Sequence, residues 1–391
     1  MPDSCVISGM GLVTALGAGV DRNWDALVAG ECGIRPMTRF QTDRYITGVA
    51  GEVCEKDLGT LREELADSDL SRAYAFAMWV ARQALGESGV DPRKVALILS
   101  TTKGDFEDFE CAVKDNGYVS GRRFNPYVMA TDLGGLLGLS GPICAVSNAC
   151  ASGLVAIMQG ARWLQREVAD HVLVVGVDIL TDFVLSGFSC LRALSPKPAR
   201  PFDAARDGLS LGEGAAAIVM SRLSTIPDAD VRARVLGWSV SNDAEHITSP
   251  SREGSGLRRA MESALLMADR GPKDIGYINA HGTGTTFNDE MESQAVSRVY
   301  ADMTQPPTTS MKGSIGHTLG AAGVIEAVLT VRAMEEKLIP PSVGFETLGV
   351  TKDLNVSSSA VTAPDLQNAL CMKSGFGGVN AALVLGCGAR A

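Results

Sequence analysis

The chain has 391 residues, 46% of them hydrophobic, and a formal net charge of −10. That much apolar material builds a large core with room for more than one domain and excludes a disordered chain. The acidic balance argues against bulk binding of nucleic acid or anionic membranes, and only a local basic patch would meet an acidic partner.

No run of about 18 apolar residues is present, so nothing is expected to span a membrane. Nine scattered cysteines form no CxxC pair, and "MPDSCVISGMGLV" has no basic leader. Both features predict reduced thiols and a cytoplasmic protein.

In chain order, "CVISGMGLVTALG" (5–17) reads as a strand. It approaches a dinucleotide-binding loop, but Thr14 stands where the third glycine belongs, so no nucleotide is expected. "VALILSTTKGDFEDFE" (95–110) is an apolar strand, a Gly/Thr turn and an acidic helix start. "GPICAVS" is strand-like and leads into "NACASGLVAIMQGARWL", a small-residue turn feeding a helix. "HVLVVGVDIL" (171–180) is apolar on both faces, as buried sheet strands are. "GLSLG" (208–212) matches the nucleophile elbow of hydrolases, which requires strand, turn and helix. Here the turn-rich "RPFDAARD" precedes it and the strand "GEGAAAIVM" (212–220) follows, so Ser210 is not expected to be a nucleophile.

Beyond a seam at "STIPDADVRAR" (224–234), the same plan recurs in the same order. "RVLGWSVSNDAEH" (234–246) answers the first strand, and "IGYINAHGTGTTFNDEME" (275–292) answers 95–110. "GSIGHTLGAAGVIEAVLTV" (313–331) answers the small-residue turn and helix, and "GGVNAALVL" (377–385) answers 212–220. Strands alternating with helices predict α/β layering. Two pseudo-equivalent halves are expected, 1–228 and 229–391, with sheets packed back to back around shared helices.

Cys150 falls at or beside a helix N-terminus, where unpaired N–H groups and the helix dipole favour a thiolate. Such surroundings can lower a cysteine pKa to roughly 3.5–7.5. The bland alternative is a buried, inert cysteine, which suits Cys144 inside its strand. Of the four histidines, His171 opens a strand and is expected to be structural. His281 and His317 occupy Gly/Thr turns after strands, where α/β folds gather their sites. His317 stands in the second half where Cys150 stands in the first, so pseudo-symmetry predicts a Cys150/His281/His317 cluster. Structural zinc wants four ligands at short paired spacings, which are missing, so no metal is expected. Glu326 lies in the apolar run "AAGVIEAVLTV", where burial demands a partner.

Taken together, "SNACASG", "NAHGTGT" and "KGSIGHTLGAAG" resemble, in order, the motifs of the β-ketoacyl-acyl carrier protein synthases of the thiolase superfamily, elongating type. "RPFDAARDGLSLGEGAA", "SNDAEHITSP" and "SGFGGVNAALVL" extend the resemblance from about residue 5 to 387. It implies a thiolase-like α/β fold in five layers, αβαβα, and decarboxylative Claisen condensation of an acyl thioester on Cys150 with malonyl-carrier protein. It also implies no cofactor beyond the carrier's own phosphopantetheine arm. By the same resemblance, His281 and His317 would stabilise the enolate, and Lys312 with Glu326 would orient the site. The backbone N–H groups of Cys150 and Phe376 would form the second oxyanion hole, and Phe376 would gate acyl entry. Thr283 and Thr285 would bond the pantetheine arm. Phe188 and Arg192 would line the entrance, with Lys197 and Arg200 nearby to meet an acidic carrier protein. Homodimerisation is expected, with a heterodimer containing a ketosynthase-like subunit as the alternative.

Two departures from the family pattern bear on the acyl chain. Ser374 replaces a second gate phenylalanine, and the segment from 100 to about 135, which lines the family's acyl pocket at the dimer interface, is short and polar. Polyene or other polyketide intermediates therefore stand beside saturated fatty chains as substrates. Two rival readings are a non-condensing ketosynthase-like subunit, which retention of Cys150 opposes, and a hydrolase acting through Ser210.

Overall fold

The computed structural model describes residues 5–67, 69–114 and 124–388. Ten strands form the sheet framework: β1 (Cys5–Thr14), β2 (Val95–Ser100), β3 (Ile143–Val146), β4 (His171–Asp178), β5 (Gly214–Arg222), β6 (Ala233–Asn242), β7 (Tyr277–Asn279), β8 (Thr308–Thr309), β9 (Asn368–Gly375) and β10 (Val379–Cys387). Their spatial order is β8-β7-β9-β10-β6-β1-β5-β4-β2-β3.

The order reads the same from the middle outward. In the first half β3, β2 and β4 run parallel, and β5 and β1 continue antiparallel. In the second half β8, β7 and β9 run parallel, and β10 and β6 continue antiparallel. The two halves join into one sheet where, among the described residues, Val6 pairs with Arg234 and Ile7 with Ala233.

Alternation of side chains sorts each strand between two apolar layers. On β5, Ala216, Ile218 and Met220 enter a central core, while Ala215, Ala217 and Val219 enter an outer one. On β10, Ala381, Leu383 and Leu385 join the same central core, and Ala382 and Val384 face a second outer core. Helix α1 (Arg72–Ser88) covers the first outer face. Two helices fill the centre, α2 (Ser152–Gln165) and α5 (Ala322–Glu336), and α3 (Ser255–Met267) with α4 (Thr286–Val299) covers the second outer face. The layers are therefore α, β, α, β, α. α5 is buried nearly all round over its first ten residues, which are apolar except for Glu326 and Thr330.

Glycines set the closest approaches. A Cβ at Gly9 or Gly11 would lie 2.1 Å from the Ala84 carbonyl oxygen or 2.2 Å from that of Val80. The pair that resembled a nucleotide loop instead lets α1 lie against β1. At the centre the starts of α2 and α5 cross, with a Gly153 Cβ falling 2.6 Å from the Val324 nitrogen. This crossing brings the turn that ends in Cys150 beside the turn that holds His317. Among the described residues, no helix is long and apolar enough to cross a membrane.

Candidate functional site

Cys150 follows β3 in a tight turn and is 7% exposed. Ser152 Oγ donates to the Ala149 carbonyl at 2.6 Å and accepts the Asn148 N–H at 2.7 Å, locking the turn. Ala149 is held at φ 48°, a left-handed conformation that a non-glycine residue adopts only under constraint. The N–H groups of Cys150 and Phe376 both point at the sulfur, and Lys312 adds positive charge. These favour a thiolate, as the helix terminus suggested, but burial outweighs them and the thiol is pushed up to about 12. The expected low pKa is thus reversed: the unliganded thiol keeps its proton at neutral pH because water cannot solvate its anion.

His281 and His317 meet the thiol. Their rings lie 5.2 Å apart, nearly perpendicular, and both are buried. One ligand atom from each, with the Cys150 sulfur, falls within a 4.8 Å cluster. Burial and the charges of Lys312 and Lys373 hold both imidazoles well below the usual histidine range, so both are neutral. The Leu319 N–H donates to His317 Nδ1 at 3.2 Å, so the ring proton sits on Nε2, which is buried with no partner. His281 Nδ1 is likewise buried and unpartnered. His317 therefore presents an N–H to the site where a metal would require a lone pair, an arrangement suited to an oxyanion.

A buried ionic cluster lies behind the rings. Lys312 Nζ donates to the His281 carbonyl at 2.5 Å and to Glu326 Oε1 at 2.7 Å, which supplies the partner that Glu326 required. Sequence reasoning missed Lys373, whose Nζ stands 2.7 Å from Glu326 Oε2. A lysine in the apolar strand "NALCMKSG" was the available signal, since a buried ammonium demands an anion. Also missed were the carboxylates that fix the His281 turn. Glu292 accepts the N–H groups of His281 and Gly282 at 2.7 and 2.6 Å, and Asp289 accepts that of Thr283 at 3.1 Å. They stand three residues apart in the first turns of α4, hence on one face. Asp178 ties the end of β4 to the approach to α5 through the Gly320 N–H at 2.7 Å.

Cys150, His281 and His317 open into a cavity of ≈ 340 Å³ also lined by Thr283, Thr285, Phe188, Arg192, Ser374 and Phe376. Thr283 and Thr285 share a hydroxyl contact of 2.8 Å. Phe188 and Phe376 stack at the mouth with centroids 5.9 Å apart, and Phe376 is 37% exposed. Ser374 bonds the Asn380 side chain at 2.7 Å. Arg192 is exposed at the mouth and Lys197 is exposed five residues on, whereas Arg200 is tied to Asp203 and Glu346. Ser210 lies outside the chemistry: its hydroxyl accepts the Ala199 N–H and donates to the Lys197 carbonyl. Of the segment 100–135, residues 115–123 lie outside the described residues; among the described residues Phe106, Phe109, Phe124 and Phe183 form an aromatic cluster.

Comparison with known proteins places this geometry in a family. The N-terminal domain of the β-ketoacyl synthases matches residues 3–225, and their C-terminal domain matches residues 232–346. A 3-oxoacyl-[acyl-carrier-protein] synthase 2 of Coxiella burnetii is 33% identical over 97% of this chain and 97% of its own. The protein of the same name from Vibrio cholerae is 33% identical over 97% and 98%. Among solved structures, the ishigamide ketosynthase/chain length factor superposes with a TM-score of 0.89 at 30% identity, over 99% of this chain and all of that one. The chain has the thiolase-like fold and belongs to the β-ketoacyl synthases, a family of acyl-transferring condensing enzymes.

Proposed function

We propose that this β-ketoacyl synthase elongates a carrier-bound fatty or polyketide acyl chain by two carbons through Cys150, His281 and His317. In the first half-reaction the Cys150 sulfur attacks the acyl thioester. The thiol proton passes to the departing pantetheine sulfur, and the N–H groups of Cys150 and Phe376 hold the tetrahedral oxyanion. Malonyl-carrier protein then enters, its pantetheine arm along Thr283 and Thr285. Its carboxylate leaves as CO₂, and the thioester oxygen takes up the charge as an enolate between His281 and His317. The enolate carbon attacks the acyl-Cys150 carbonyl and expels the cysteine sulfur, which recovers a proton.

The observation that carries this reading is the convergence of one buried thiol and two neutral imidazoles at the base of one cavity, with the His317 Nε2–H unpartnered. Neutral N–H donors stabilise an enolate by hydrogen bonding without being acidic enough to protonate and quench it. Lys312 and Glu326 are assigned to holding the His281 turn, Phe376 to the gate, and Phe188 and Arg192 to the entrance. An acyl carrier protein is the assigned partner and the cytoplasm the assigned compartment, with no cofactor besides the carrier's arm. The two halves are divided at 228/229.

A homodimer is assigned to the edge of the sheet, where β3 is half-buried and Tyr127 and Leu136 are each 55% exposed. The likeness to the ishigamide ketosynthase/chain length factor supports a second reading, a heterodimer in which this chain is the Cys150-bearing subunit.

Intact mass after incubation with a panel of acyl-carrier proteins tests the reading. Wild type should gain the acyl mass and Cys150→Ala should not. The donor that loads best would identify the chain. No adduct from any donor, with or without a partner subunit, would remove the condensing role.

A further inference from the structure

Lys373 is wholly buried on β9. Besides Glu326, its Nζ donates to the Met372 carbonyl at 2.7 Å and to Asn279 Oδ1 at 3.1 Å, with the Ala280 carbonyl at 3.5 Å. Asn279 and Ala280 are the two residues before His281. One ammonium therefore ties the strand that leads to Phe376 to the turn that presents His281. Lys312 grips the same turn through the His281 carbonyl and shares the same carboxylate.

Two buried ammonium groups on one carboxylate exceed what pairing requires. A single Lys–Glu pair is neutral, and a second buried cation is costly unless its charge serves a purpose. Among the charges nearby, Glu292 and Asp289 are turned onto backbone N–H groups of 281–284, and Asp178 onto those of Thr102 and Gly320. Asp178 also pairs with the buried Lys103 at 2.9 Å. Burial and Asp289 push Glu292 up to about 7, so its charge facing Lys312 is only partly expressed at neutral pH. The remaining titratable neighbours are Cys150, Cys371 and Tyr277, and burial pushes all three up and keeps them neutral.

We propose that Lys373 is a positioning residue for the condensation: it clamps the His281 turn and places excess positive charge behind the two imidazoles, where an enolate forms in front of them. The proposal rests on the reading of His281 and His317 as enolate donors. Lys373 also contributes to holding both histidines below their ordinary range, so its loss should let them protonate at higher pH.

Two variants separate charge from scaffold. Lys373→Met keeps the length and removes the cation. Asn279→Asp keeps Lys373 and gives it a second carboxylate. CO₂ release from malonyl-carrier protein and acyl loading of Cys150 are measured from about pH 5.5 to 8, the range in which histidine titrates. Wild type should show in CO₂ release at most the shallow step of Glu292, which burial pushes up to about 7. Both variants should show a steeper acid limb, losing about tenfold more than wild type at the acid end, the effect of roughly one pKa unit. Loading of Cys150 should fall by less than about threefold, because its oxyanion hole is made by other groups. If Lys373→Met fails to fold, Asn279→Asp carries the same expectation. Wild-type pH profiles in folded variants, or an equal loss of both half-reactions at every pH, overturn the proposal. A wild type that loads Cys150 but releases no CO₂ overturns the enolate-donor reading on which it rests.

Discussion

At the scale of the residue, the site combines groups that are inert apart. A thiol pushed up to about 12 is a poor nucleophile in the free protein. Iodoacetamide should therefore modify Cys150 more slowly than exposed Cys54 or Cys190 near neutral pH, with the rate climbing as pH rises beyond 9. Peptide mass mapping of the alkylated cysteines checks this, and preferential labelling of Cys150 at neutral pH would contradict it. His317 is the cleaner test of the enolate site, because the Leu319 N–H fixes its tautomer. His317→Ala should cost decarboxylation about 10²–10³-fold, the effect of one preorganised donor, and leave Cys150 able to accept an acyl group. The quoted motifs made Cys150, His281 and His317 legible as types. They could not reveal that burial would dominate the thiol, because desolvation depends on everything packed above it.

At the scale of the element, the site depends on two helix starts crossing at glycines. Gly153→Ala would drive a Cβ to 2.6 Å from the Val324 nitrogen and 2.8 Å from Gly323. Both contacts are backbone and neither can swing aside. Overpacking of this kind costs typically 1–3 kcal/mol, here roughly the upper figure, and it should separate Cys150 from His317. Urea unfolding should show a lower midpoint, and decarboxylation should fall even in the folded fraction; an unchanged midpoint would show that the crossing yields. Strand and helix periods predicted these elements, and their repeated order predicted the central pair. Lys373 and Glu292 escaped notice because a single charge in a strand or helix reads as solvated until a neighbouring layer closes over it.

At the scale of the whole molecule, burial of acids that ionise at high pH makes the fold alkali-sensitive. Cys5, Cys150 and Cys371 are buried and all raised above 9.0, and Tyr277 and Tyr300 are raised in the same sense. A raised folded pKa gives stability that is complete below the unfolded value and lost as pH climbs toward the folded one. Stability should thus fall from about pH 9 upward, by up to about 1.4 kcal/mol per pH unit for each thiol, and the thermal midpoint should fall with it. Lys312, shifted down, opposes this as one group against five. A flat midpoint to about pH 10.5 would refute the expectation.

The sequence by itself determined the α/β class, the doubled plan and the three side chains proposed to react, because periodicity, turn residues and motif order are local properties. Only the tertiary structure decided the neutrality of the histidines, the tautomer of His317, the protonated thiol and the Lys312–Glu326–Lys373 cluster. Each of these follows from desolvation and from contacts between residues far apart in the chain, as between Cys150 and the Phe376 N–H, and distances of that kind are set by layers closing on one another.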